Sequence, residues 1–220
     1  MPTAALRATY DRWAETYPPV AHNPLMEAEE AVVARRLSGI RAMRALDVGT
    51  GSGRYIPRLA RTGAHTVIGA DLSMGMLTRN AHELRVCADA RRLPWPDGTF
   101  DLVNASLIAG DIADLDAWIT ELARVLTPAG HLIYSDFHPE WDRLGWQRSF
   151  LDAAGREWRL PRMAHHTDAH RHAITRAGLE CVAADDATVV LPASPSLFRS
   201  LRRARAVPVV TVFHARKAVR

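Results

Sequence analysis

The run Ala45-Leu-Asp-Val-Gly-Thr-Gly-Ser-Gly-Arg54 concentrates more chemistry than any other stretch of the chain. Apolar residues lead straight into Gly49-x-Gly51-x-Gly53, a turn whose glycines permit sharp backbone angles and let a ligand approach the main chain. Thr50 places a hydroxyl inside the same turn. Asp71, with Leu72 beside it, closes the next apolar run, where a carboxylate can accept hydrogen bonds from ribose hydroxyls. Asp47 stands two residues before the first glycine. A pyrophosphate held at this turn would be repelled by Asp47, whereas a ligand carrying an ammonium group would be attracted. The third glycine of the dinucleotide pattern is replaced by Arg54. An adenosine joined to an amino acid therefore suits these residues better than NAD, which argues against a nicotinamide oxidoreductase.

A second group of residues could move protons. His138 follows the fifth apolar strand run, and His165 and His166 close a Trp- and Arg-rich stretch. Imidazole exchanges a proton near neutral pH, so these three are the candidate general bases. His166 and His170 are spaced to chelate on a helix. No thiolate or carboxylate completes a site beyond Asp168, and no metal is expected. The two cysteines, Cys87 and Cys181, have neither metal nor redox spacing.

These residues must be positioned by an alternating series of strands and helices. Strand patterns cover Arg44–Val48, His65–Ala70, Leu84–Ala88, Phe100–Ser106 and His131–Phe137. Helical patterns cover Gly53–Arg61, Ser73–Ala81 with Ser73 as N-cap, and Asp114–Leu126, the last closed by Pro128 and Gly130. Such alternation implies βαβ units in a doubly wound, Rossmann-like α/β fold, with a mainly parallel seven-stranded sheet. Residues 1–38 read as a helical cap interrupted by Pro18, Pro19 and Pro24. Residues 39–138 form the cofactor-binding core and 139–166 an insertion after strand five. Residues 167–220 hold a helix and a strand pair, Val182–Leu191 and Ala206–Ala215, expected as an antiparallel edge. A basic helical insert carrying Arg199, Arg202, Arg203 and Arg205 joins that pair.

Residues 45–138 resemble the class I S-adenosylmethionine-dependent methyltransferases, in particular the branch containing the ubiquinone/menaquinone enzymes and many small-molecule enzymes. Asp47-Val-Gly-Thr-Gly-Ser-Gly53 is similar to the motif that wraps the methionine part, and Ala70-Asp-Leu-Ser73 to the one whose acid holds the ribose. Ala88-Asp-Ala90 with Leu93-Pro-Trp-Pro-Asp-Gly-Thr-Phe-Asp101 resembles the third motif. The resemblance implies that Asp89 faces the adenine amino group and that Ala90 flanks the ring. Glu121-Leu-Ala-Arg-Val-Leu-Thr-Pro-Ala-Gly130 resembles the family's stretch before strand five, with Ala129 in place of a usual glycine. Tyr10-Asp-x-x-Ala-x-x-Tyr17 resembles the preceding cap helix. Asn104, at the end of strand four, completes the expected cofactor shell.

The expected cofactor is S-adenosyl-L-methionine, with S-adenosyl-L-homocysteine as product, and the expected partner is a small-molecule methyl acceptor. Asn104-Ala-Ser-Leu107 lacks the Pro-Pro-aromatic segment of the enzymes that methylate exocyclic amines of nucleobases. Leu107-Ile-Ala-Gly-Asp111 stands where the quinone enzymes carry histidines. Tyr10, Trp13 and Tyr17 share one helix face and either pack on the core or close over the cofactor's sulfonium. The insertion adds Trp141, Trp146, Phe150 and Trp158 beside Arg148 and Arg156, a mix suited to an aromatic or amphipathic acceptor.

The 220 residues suit one domain. The net charge of +4 is nearly all arginine, with Lys217 the sole lysine, and is too small and too dispersed to favour nucleic acid. An RNA methyltransferase using the basic insert, and a module that binds the cofactor without catalysis, are the alternative readings. No apolar stretch reaches the ~20 residues of a membrane span, and Met1–Arg12 has no signal-like core. The expected location is cytoplasmic, with a homodimer as the candidate assembly.

Overall fold

The computed structural model describes residues 3–191 and 205–219. The strands are β1 (Arg44–Val48), β2 (Thr66–Asp71), β3 (Arg85–Cys87), β4 (Phe100–Ala105), β5 (Leu126–Phe137), β6 (Arg148–Leu151), β7 (Glu157–Leu160), β8 (Leu179–Leu191) and β9 (Arg205–Lys217). The helices are α1 (Thr3–Ala14), α2 (Pro24–Leu37), α3 (Ile56–Ala60), α4 (Met74–Arg79), α5 (Leu115–Val125), α6 (Glu140–Leu144) and α7 (Thr167–Arg176).

Seven strands form one sheet in the order β3-β2-β1-β4-β5-β9-β8. β1 to β5 pair in parallel. β9 runs antiparallel to β5 and to β8, which forms the edge. This is the expected Rossmann-like architecture with an antiparallel pair at one side. The direction of winding reverses between β1 and β4. In open α/β sheets, ligands bind at such a switch point, beyond the carboxyl ends of the strands.

Both faces of the sheet are covered. On one face, α5 presents Leu115, Trp118, Ile119, Leu122 and Ala123 at helical spacing, all buried. Asp114 caps its first turn by accepting from the Ala117 N–H at 3.0 Å. On the other face, Val33 and Leu37 of α2 join Tyr55, Leu59, Val210 and Val212 in a second buried cluster. Asn23 caps α2, and Pro24 occupies its first turn. Pro24 therefore starts a helix rather than breaking one, because a first-turn residue has no intrahelical N–H bond to lose.

Several boundaries differ from expectation. α3 begins at Ile56, not Gly53: Gly53 is left-handed at φ +89°, and Pro57 suits the first turn of a helix. Ala129 adopts φ +62°, so the turn keeps its glycine-type geometry although Ala costs ~1–2 kcal/mol there. The 139–166 insertion holds α6 and an antiparallel hairpin, β6–β7, which its irregular mix of Trp, Arg and His does not signal. The joining insert with Arg199, Arg202 and Arg203 lies outside the described residues. Among the described residues no helix is long and apolar enough to cross a membrane.

Candidate active site

A cavity of about 550 Å³ opens at the carboxyl ends of β1, β2 and β4. The turn after β1 supplies one wall through Gly49, Thr50 and Gly51. Asp71 is fixed in that wall: its carboxylate accepts from the Gly51 N–H at 2.8 Å and the Ser73 N–H at 2.8 Å. Burial raises its carboxyl to about 6, against the lowering effect of those two N–H groups. Leu72, Asp89 and Ala90 continue the wall, and Tyr10 and Tyr17 close it from the cap side. Asp89 is held by Arg91, Nε to Oδ1 at 2.9 Å and Nη2 to Oδ2 at 2.6 Å, which lowers its carboxyl below the usual range.

Asp47, Gly53 and Asn104 stand behind the wall, not on it. Asp47 is buried and accepts from Asn104 Nδ2 and from Thr50 Oγ1, each at 2.7 Å. It orients the turn from beneath, and burial raises its carboxyl to about 6. Asp47 reaches the turn through Thr50, which does line the cavity. Gly53 is needed for packing: a Cβ there would lie 2.5 Å from Asn80 Oδ1.

None of the three candidate histidines lines the cavity. His138 Nδ1 accepts from the Glu140 N–H at 3.1 Å, and its Nε2 lies 3.8 Å from Asp186. The chain turns into α6 immediately after β5 and carries the ring toward β8. His165 Nε2 is 2.8 Å from the Ile112 carbonyl oxygen. His166 is exposed at the start of α7. His170 is buried between Tyr134 and Asp136, so it does not join His166 as a chelating pair. Among the described residues no cluster of His, Cys, Asp or Glu could hold a metal.

The far half of the cavity is lined by Tyr10, Trp13, Phe137, Trp141, Trp146 and Arg148. Trp13 stacks on Phe150 of β6 at 5.0 Å, so α1 and the hairpin meet over the cavity. Trp158 and Arg156 stay outside it; the Arg12 guanidinium covers the Trp158 ring at 3.9 Å. Arg148 pairs with Asp111, and the Tyr10 hydroxyl donates to Asp111 at 2.6 Å. Leu107, on the wall after β4, is held at φ +59°, a conformation disfavoured outside glycine and found at functional sites. Its N–H donates to Ser135 Oγ at 2.9 Å.

Four site features escape a reading of the sequence. Glu29, in the acidic run of α2, is fully buried and binds Arg54, Ser135 and Tyr55. Asp111 and Arg148 are far apart in the chain, and no local pattern joins them. Arg91 lies two residues from Asp89, a spacing that could have flagged the pair. His22 lines the cavity from the loop between α1 and α2.

The residues present fit an adenosine–amino acid ligand. Gly51 lies on the wall at φ +53°, and a Cβ there would meet no protein atom within 4 Å, which leaves room for a ligand against the backbone. Asp71 offers a fixed acceptor for hydroxyls, and the aromatic rings suit a sulfonium.

Comparison with known proteins agrees with this geometry. Residues 46–134 match the methyltransferase domain family. A demethylmenaquinone methyltransferase of Corynebacterium urealyticum is 38% identical over 105 residues, 47% of this chain and 45% of that enzyme. A fatty-acid O-methyltransferase of Mycolicibacterium smegmatis is 36% identical over 121 residues, 52% of this chain and 44% of that enzyme. The chain thus spans less than half the length of these two relatives. Among solved structures, an S-adenosylmethionine-dependent methyltransferase from Mesorhizobium loti superposes with a TM-score of 0.65 at 22% identity, covering 86% of this chain and 98% of that one. The [4+2]-cyclase SpnF superposes with a TM-score of 0.69 at 18% identity, covering 100% and 98%. Residues 46–134 thus match a methyltransferase domain, and the fold is the one S-adenosylmethionine-dependent methyltransferases share. A cyclase on the same fold means that the reaction must be argued from the site.

Proposed function

We propose that the chain is an S-adenosylmethionine-dependent methyltransferase acting on a small molecule. The observation that carries this reading is one cavity with two unlike halves. A glycine turn with a buried acid bounds the first, and an aromatic chamber under α1 and the β6–β7 hairpin bounds the second. When bound, S-adenosylmethionine supplies an electrophilic methyl group on a sulfonium.

The chain's own groups then have separable tasks. Asp71 accepts hydrogen bonds from the ribose hydroxyls, and Asp89 with Ala90 borders the adenine. Tyr10 and Tyr17 set aromatic faces toward the positive centre. Burial raises both phenols, so they stay neutral. The chamber holds the acceptor in line with the methyl group and excludes water, and such alignment can supply much of the acceleration.

Enclosure between cap and hairpin favours a small molecule over RNA. Cys87 and Cys181 are both free, which suits a cytoplasmic, reducing setting. Calorimetry tests the reading: S-adenosylhomocysteine should bind and NAD should not. Binding of NAD in preference to S-adenosylhomocysteine would defeat it.

A pH dependence follows from the two raised acids. With carboxyls at about 6, Asp71 and Asp47 are charged above that pH and take up protons below it. The ionised carboxylate is the better acceptor for ribose hydroxyls. Affinity for S-adenosylhomocysteine should hold above about pH 6 and fall on acidification through it. A titration that is flat down to about pH 5, near the ordinary carboxylate range, would show that neither acid bears on the ligand.

A further inference from the structure

Apart from the Tyr17 phenol, which burial raises and keeps neutral, the titratable groups on the cavity wall are engaged, with one exception. Asp71 holds two backbone N–H groups, Asp89 is bound by Arg91, and Asp111 by Arg148 and Tyr10. The Tyr55 hydroxyl donates a hydrogen bond to Glu29, and Arg54 pairs with Glu29 and Glu30. His22 is the exception. It is the one histidine among the described residues that lines the cavity. Its ring meets Tyr17 edge-on at 5.9 Å, and among the described residues neither ring nitrogen has a hydrogen-bond partner. The residue is exposed, so a proton received there can pass to water.

The chamber also restricts the acceptor. Phe137 meets Trp141 edge-on at 4.8 Å, and Trp141 meets Trp146 edge-on at 5.3 Å. These rings make an apolar wall suited to a flat aromatic molecule. Arg148 is already neutralised by Asp111, so the chamber offers no uncompensated cation to an acidic acceptor. A phenol-type hydroxyl fits this wall, and it must lose its proton to become a good nucleophile.

We infer that His22 takes the proton from an aromatic hydroxyl acceptor; this inference rests on the methyltransferase reading. The acceptor oxygen forms the new O–C bond as the methyl C–S bond breaks, and the electron pair of that bond stays on sulfur. The hydroxyl proton passes to the free imidazole nitrogen and then to solvent. The positive charge leaves with the proton, and the products are a methyl ether and a neutral thioether.

The test uses 2-naphthol as acceptor, with wild-type protein and His22→Gln. S-adenosylhomocysteine affinity should be equal in the two proteins. At neutral pH the variant's kcat should fall by about 10²–10⁴-fold with KM little changed. Near pH 10, where a phenol ionises unaided, the two rates should converge. Independently of turnover, adding 2-naphthol to the S-adenosylhomocysteine complex should shift the His22 ring C–H resonances. Equal kcat at neutral pH, a defect that persists undiminished near pH 10, or unshifted resonances would overturn the inference. So would wild-type protein that binds S-adenosylhomocysteine but leaves 2-naphthol unmethylated, and that result would leave the cofactor reading intact. Failure to bind S-adenosylhomocysteine at all would remove the underlying reading as well.

Discussion

Replacing Glu29 by Ala should destabilise the protein by about 3–5 kcal/mol, because it strands a buried charge. Glu29 is fully buried, and the Arg54 side chain is only 11% exposed. Their contact is 3.0 Å, and Glu29 also accepts from Ser135 Oγ at 2.8 Å and from the Tyr55 hydroxyl. Truncation removes the acceptor of three donors at once. Glu30 lies 3.4 Å from Arg54 and compensates only in part, since it also serves Arg58. Urea unfolding measures the loss. A change below about 1 kcal/mol would mean that Glu30 or water takes over.

Arg148→Met should cost a similar amount, about 3–5 kcal/mol, and should also free the cap. Arg148 and Asp111 are 7% and 6% exposed. Met keeps the length and apolar stem of the side chain but leaves Asp111 with only the Tyr10 hydroxyl. Because Tyr10 belongs to α1 and Arg148 to β6, the loss falls on the joint between cap and hairpin. Amide exchange in α1 should quicken more than in α5, which is anchored by its buried face against β5 and α7. The double variant Asp111→Leu/Arg148→Met should be less damaged than Arg148→Met alone, because no carboxylate is left unpaired. A single variant as stable as wild type, with α1 protection unchanged, would show that the ion pair does not fasten the cap.

The parts of this protein that can be read from sequence are those set by local rules. The apolar run before Gly49 and the pattern of α5 fix β1 and α5 nearly to the residue, because burial follows strand and helix periods. The turn residues and Asp71 are legible for the same reason: glycine spacing and an acid at a strand end have local meaning. What stays hidden depends on distant partners. Glu29 reads as one of several acids on a solvated helix until Arg54 and Tyr55 are folded against it. Asp111 and Arg148 meet only when the hairpin crosses the cap. His138 sits next to the strand end, but the entry into α6 turns its ring away. His22, in a proline-flanked loop, is brought to the cavity wall by tertiary contacts that no periodicity reveals.

Calorimetric titration of wild-type protein and Asp71→Ala with S-adenosylhomocysteine tests the cofactor assignment most directly. The assigned geometry predicts binding by wild type and a loss of about 1–3 kcal/mol in the variant, as charge-assisted hydrogen bonds to the ribose disappear. Equal affinity in the two proteins would contradict it.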